Sequence, residues 1–232
     1  MKKLSKSFFV GIVLLVLFAV FTAIVKFVDV SNIGPLDSSV GLAHLNKAAF
    51  NFFGVSNVWY YITEILGILA LLVAAAFAIL GFVQLIKNKS IKSIDYKLLI
   101  LAVFYVLVAL IYFVFEFAII NYRPILVEGV LEASYPSSHT MLTVFILGSA
   151  MILYRSLFAD KKILRFVLDV ISFSIMGFVV IGRLLAGMHW LTDIIAGLLV
   201  SVSLIFIYYA VIKFVEFKIY VKQQEKEKEK DS

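Results

Sequence analysis

Apolar residues run in six long, nearly unbroken blocks along the 232-residue chain, with short polar clusters between them. The blocks fall at roughly 8–28, 60–86, 98–120, 139–154, 166–185 and 190–212. At about 1.5 Å of rise per residue, each crosses or nearly crosses a hydrocarbon core of about 30 Å. None shows the strict alternation of a barrel strand, and a helix satisfies its own backbone groups in lipid. The predicted fold is therefore all-α: a polytopic membrane protein, a six-transmembrane-helix bundle.

The first block follows Lys2, Lys3 and Lys6 but is longer than a signal core and lacks a small-residue cleavage site, so it reads as a retained helix. Segment 29–59 is the largest loop. Its aromatic group, Phe50, Phe52, Phe53, Trp59, Tyr60 and Tyr61, reads as an interfacial belt or a short helix lying on the membrane. The division expected is a membrane domain over 1–222 and a charged tail over 223–232, where Glu and Lys alternate as in a solvated, frayed helix end.

Composition sharpens this picture. Hydrophobic residues make up 63% of the chain and charged residues 16%, outside the range of soluble domains. The absence of cysteine removes disulfides and thiolate metal sites. A net charge of +6 does not point to nucleic acid, because the cations are spread over separate segments instead of one face. They follow membrane topology instead. Of 21 Lys and Arg, 17 fall on one side of the six spans, and the positive-inside rule makes that side, with both termini, cytoplasmic. Lys26, Lys47, Arg123 and Arg183 fall on the other.

Two of these four cations stand beside other reactive residues. Arg123 sits in Asn121-Tyr122-Arg123-Pro124 and Arg183 in Gly182-Arg183, while Pro136-Ser137-Ser138-His139 opens the fourth span and His189-Trp190-Leu191-Thr192-Asp193 the sixth. All four groups share the outward face. Guanidinium forks match phosphate oxygens, and the N–H groups around Ser137 and Ser138 at a helix start form an anion site, with Pro136 suited to its first turn. His189 and Asp193, four apart, share a helical face. The carboxylate is expected to fix the ring tautomer and stabilise a phosphohistidine, with His139 as general acid. These parts predict phosphoryl transfer at an extracytoplasmic active site.

The motifs resemble those of the type-2 phosphatidic acid phosphatase family, whose site architecture is shared with vanadium haloperoxidases. That family carries Lys-x6-Arg-Pro, Pro-Ser-Gly-His and Ser-Arg-x5-His-x3-Asp. Here the three read Glu116-x6-Arg123-Pro124, Pro136-Ser137-Ser138-His139 and Gly182-Arg183-x5-His189-x3-Asp193. The resemblance implies His189 as nucleophile, His139 as acid, Asp193 as partner of His189, and Arg123, Arg183, Ser137 and Ser138 as phosphate ligands. It implies no metal or other cofactor, and a membrane lipid phosphate as substrate.

Three positions depart from the pattern. Ser138 keeps the backbone donor of glycine and adds a hydroxyl, and Gly182 removes a serine hydroxyl. Glu116 puts an anion where a cation is usual. It is read as orienting an arginine or the serine-bearing loop. His44 has no partner in this reading, and Glu64 either satisfies an arginine or sits at the interface.

Candidate substrates are undecaprenyl diphosphate, phosphatidylglycerol phosphate and phosphatidic acid. The alternatives are a lipid-linked phosphotransferase and a catalytically weakened binder of lipid phosphates. A metal site on His139, His189 and Asp193 is disfavoured by the adjacent arginines.

Overall fold

The computed structural model describes residues 5–230, so Lys2 and Lys3 of the charge count lie outside the described residues. Among the described residues, the six spans are α1 (Lys6–Phe27), α3 (Asn57–Asn88), α4 (Tyr96–Phe117), α5 (Ser138–Leu157), α6 (Lys162–Leu185) and α7 (Leu191–Lys230). A seventh helix, α2 (Ala43–Phe53), lies in the loop after α1. That loop also holds a small hairpin, β1 (Ser31–Asn32) pairing antiparallel with β2 (Ser39–Val40), which the apolar pattern did not foretell. The chain is a multi-pass membrane protein.

Helix ends follow local chemistry. Ser5 caps α1 by accepting from Phe8 N, Asp95 caps α4 through Lys97 N, and Ser137 caps α5 through Thr140 N. Most boundaries shift by a few residues from the sequence reading, and two of the shifts matter below. The helix α4 stops at Phe117 instead of continuing to 120, and α7 runs unbroken through the 222/223 boundary to Lys230.

Burial explains why the apolar blocks differ. The two helices α5 and α7 pack along each other at the centre, α1 lies on α7, and α3 and α6 lie on α5. Within α1 the buried positions are Gly11, Phe18 and Val25; within α3 they are Thr63, Ala70 and Phe77. Each set repeats at seven, a single seam against the neighbour, and the apolar remainder faces outward toward lipid. Phe9, Phe82 and Ile163, all well exposed, are of that kind. The least hydropathic span, α5, is also the most enclosed, so its Thr140, Thr143 and Ser149 point into protein.

The connections after α1, α4 and α6 meet at one end of the bundle. Gly41 N donates to Asn121 Oδ1 at 3.0 Å, Asn46 Nδ2 to Thr192 Oγ1 at 2.9 Å, and Lys26 Nζ to Ile119 O at 2.8 Å. Four separate stretches of chain are thereby tied together around the start of α7.

Candidate active site

Asp193 opens that knot. It is fully buried in the first turn of α7. Its Oδ2 accepts from Trp190 N at 3.0 Å and its Oδ1 from Asn121 Nδ2 at 3.2 Å, while its backbone oxygen accepts from Ser137 N at 3.0 Å. One residue thus fixes the turn before α7, the strand-like segment after α4 and the cap of α5. Asn46 completes the frame by accepting from Thr192 N at 3.2 Å, and Phe50 of α2 sets its ring 5.6 Å from that of Trp190. The aromatic group in the long loop therefore does more than form a belt.

His189 lies in the turn between α6 and α7 and is almost wholly buried. Its Nδ1 is 3.1 Å from Ser134 O and 3.7 Å from Asp193 Oδ2. A carbonyl only accepts, so Nδ1 carries the proton and Nε2 the lone pair. Nε2 is buried and, among the described residues, has no hydrogen-bond partner. Burial first, then the charges of Arg123 and Arg183, hold the imidazole well below the usual histidine range. The expected Asp193–His189 hydrogen bond is thus replaced by a longer contact, and Ser134, absent from the sequence reading, fixes the tautomer.

A cavity of about 150 Å³ opens in front of His189. Arg123, Glu116, Glu132, Pro136 and Ser138 share its wall with the histidine. Tyr135 holds that wall: its hydroxyl is 2.7 Å from Thr22 Oγ1 and its ring stacks on Phe18. The Nε of Arg123 lies 2.9 Å from Glu132 Oε2, and Nη1 donates to Met188 O at 3.4 Å. Because α4 ends before it, Arg123 is not on a common helix with Glu116, and its carboxylate partner is Glu132. Glu116 stands instead beside the Tyr112 hydroxyl.

Arg183 and His139 form a second cluster beside this cavity without lining it. Arg183 is 1% exposed, a guanidinium deep among α3, α5 and α6. Its Nη1 donates to Thr63 Oγ1 at 3.1 Å and lies 3.0 Å from Glu64 Oε1, and its Nη2 donates to His139 Nδ1 at 2.6 Å. A guanidinium only donates, so Nε2 of His139 carries the proton, and it faces Glu64 Oε1 at 3.3 Å. Glu64 therefore satisfies both an arginine and a histidine.

The departure at Gly182 has a steric reason. A Cβ there would meet Thr63 Cγ2 at 2.5 Å and the Trp59 ring at 3.0 Å. Glycine lets α6 approach α3, and Thr63 supplies a hydroxyl to Arg183. Gly67, one turn beyond Glu64, similarly leaves room for the His139 ring, 3.0 Å from where its Cβ would stand.

Of the sequence-selected residues, His189, Arg123, Ser138 and Glu116 share the cavity, with Asp193 beneath it and His139 and Arg183 alongside. Ser137 is placed differently: wholly buried, it caps α5 with its hydroxyl and spends its N–H on Asp193. Pro136 accordingly precedes the cap instead of occupying the first helical turn. His44 does have a partner, since Nδ1 lies 2.7 Å from Asp29 Oδ1 and its backbone N–H donates to Oδ2 at 2.9 Å. These two hydrogen bonds lower the Asp29 carboxyl below its ordinary value.

Residues 117–216 match the family model of the PAP2 superfamily. That stretch of the chain is similar to the superfamily. The matched stretch includes Arg123, the Pro136–His139 motif, Arg183, His189 and Asp193, and it begins one residue after the divergent Glu116. The chain's backbone superposes on a transmembrane PAP2-type phosphatidylglycerolphosphate phosphatase from Bacillus subtilis with a TM-score of 0.60, covering 90% of this chain and 96% of that one. Identity is 18%, so the likeness is one of fold. No curated protein sequence matches the chain significantly.

Proposed function

We propose that this chain hydrolyses a phosphomonoester or diphosphate on a membrane lipid through a phosphohistidine at His189. The observation that carries the reading is His189 Nε2, a buried lone pair without a partner among the described residues, on one cavity wall with Arg123. In the first step Nε2 attacks phosphorus, a P–N bond forms and the P–O bond to the lipid breaks. The leaving oxygen takes a proton from His139, which acts as the imidazolium, its Nδ1 taking up a proton as Arg183 turns from it to the phosphate. Water then attacks the phosphohistidine, giving up a proton to His139 and releasing phosphate. Asp193 acts by fixing the turn that carries His189 and by its negative charge near the ring.

Arg183 enters as the phosphate arrives, exchanging Glu64 for phosphate oxygens. That exchange frees the Nε2–H of His139 to face the leaving oxygen. No metal is required in this scheme, because arginines and the start of α5 supply the electrostatic stabilisation. Among the described residues no three His, Asp or Glu gather as a metal site. Phosphatidylglycerol phosphate, the substrate class of the structural neighbour, joins undecaprenyl diphosphate and phosphatidic acid as candidates.

Phosphate release by the purified chain from this panel of lipids, with and without EDTA, tests the proposal. Release from at least one lipid, without an added acceptor and unchanged by EDTA, supports it. Release only with an acceptor alcohol makes the chain a phosphotransferase, and loss with EDTA overturns the metal-free scheme.

The same reading places the site on the outer surface and both termini in the cytoplasm. A reporter fused after Ser232 should be cytoplasmic and one inserted near Asp37 external. Both on one side would refute the orientation.

Two predictions concern the cavity. Nitrogen-15 spectra of histidine-labelled protein should show His189 as neutral, Nδ1-protonated imidazole at about pH 5.5, where an ordinary histidine is mostly charged. The sign carries over to stability. The unfolded imidazole takes a proton near ~6.5 that the buried one refuses, so this contribution is intact above that pH and lost as pH falls. Glu116→Gln should lower kcat/KM several-fold by disturbing the wall, and Glu116→Lys should not raise it. A large gain from the lysine would make Glu116 a lost phosphate ligand.

A further inference from the structure

A second cavity, about 1000 Å³, lies at the end of the bundle opposite the site. Its floor is α5 and its walls are α6 and α7, which both pack along α5 but hardly touch each other. The interior is apolar: Val144 and Gly148 from α5, Phe173 and Met176 from α6, Val202 and Ile205 from α7. At the mouth the chemistry changes. Arg155, Lys97 and Lys213 stand there with Glu216.

Glu216 Oε1 lies 3.3 Å from Lys97 Nζ and its Oε2 2.8 Å from Lys213 Nζ, so one carboxylate sets two ammonium groups beside each other. Arg155 has no carboxylate partner among the described residues. The mouth therefore carries three cations against one anion. Along α5, Arg155 is 17 residues from Ser138, about 25 Å by helical rise, so this cavity is separate from the phosphate site.

An apolar cleft of this size between membrane helices gives water no hydrogen-bond partners and leaves the walls without contacts if empty. Acyl chains are the solvent at that depth. The unbalanced cations at the rim then select the headgroup, because basic pockets between helices attract anionic lipid.

We propose that the cleft between α6 and α7 holds one glycerophospholipid of net negative charge, its chains against α5 and its headgroup between Arg155 and Lys213. This lipid is a bound structural ligand and not the substrate, and the proposal does not rest on the phosphatase reading.

The test uses native mass spectrometry of the full chain taken from vesicles of phosphatidylglycerol and phosphatidylcholine in equal parts. Wild type should retain one lipid through detergent washing, favouring phosphatidylglycerol by about tenfold. The double variant Arg155→Ala, Lys213→Ala should lose most of that preference while keeping phosphate release, since neither residue touches the phosphate site. Met176→Trp, which fills the cleft, should lose both lipids, and a circular dichroism spectrum like the wild type's shows that the fold is kept. Equal retention of the two lipids by wild type overturns the proposal, as does a preference unchanged in the double variant.

Discussion

Replacing His189 with alanine is expected to abolish phosphate release, lowering kcat by about 10⁴-fold or more, with the helical spectrum unchanged. The size of the effect follows from the position of Nε2. Among the described residues it is the one ring nitrogen on the cavity wall with a free lone pair, and alanine leaves no atom there able to attack phosphorus. Acid-quenched wild type should carry a labelled phosphoryl group that is labile in acid and stable in base, as a phosphoramidate is, and the variant should carry none. Turnover in the variant within about tenfold of wild type would end the phosphohistidine mechanism.

The second large effect belongs to Arg183. Arg183→Lys keeps the charge but not the planar fork that reaches Thr63, Glu64 and His139 together. A single ammonium in that buried position cannot hold all three, so His139 Nδ1 loses its donor and the ring its orientation. The expected result is a fall in kcat/KM of about 10²–10³-fold. Glu64→Gln offers the contrast, since the amide oxygen still accepts from Arg183 and the expected loss is about tenfold or less. Equal effects from the two substitutions would show that the cluster is a single structural tie with no role in placing His139. Kinetics within threefold of wild type for the lysine would remove Arg183 from the phosphate site.

The helices were legible because lipid imposes a length and a composition that 232 residues display openly. Their faces were not. A seam such as Gly11, Phe18 and Val25 has no contrast when the opposite face is equally apolar, so hydropathy finds α1 without telling which side meets α7. At the site, the motifs placed Arg123, Arg183, His139, His189 and Asp193 because each is a costly residue near a hydrocarbon boundary. Their supports were less visible. Ser134, Asn46 and Thr63 are common polar residues, and each acquires a role only from a partner far away in sequence, 55, 146 and 120 residues distant respectively. Asn121 and Thr192 lay inside the motif segments already singled out, and their neighbours were the one available signal. The end of α4 was not legible either, because the apolar run continues to 120 while the helix stops at Phe117.

The helix α7 has 40 residues, about 60 Å of rise, twice the thickness of a hydrocarbon core. Its first turn carries Asp193 and its last turns are wholly exposed, with Gln224 bonded to Glu227 along the helix surface. A continuous helix thus joins the end of the protein that carries the candidate site to the exposed tail at the opposite end of the bundle, without a joint between them. Each residue inserted into the helix turns everything beyond it by about 100°. A helical protein fused in register near Lys228 would therefore be held at a fixed azimuth to the bundle, giving so small a membrane protein a handle for imaging.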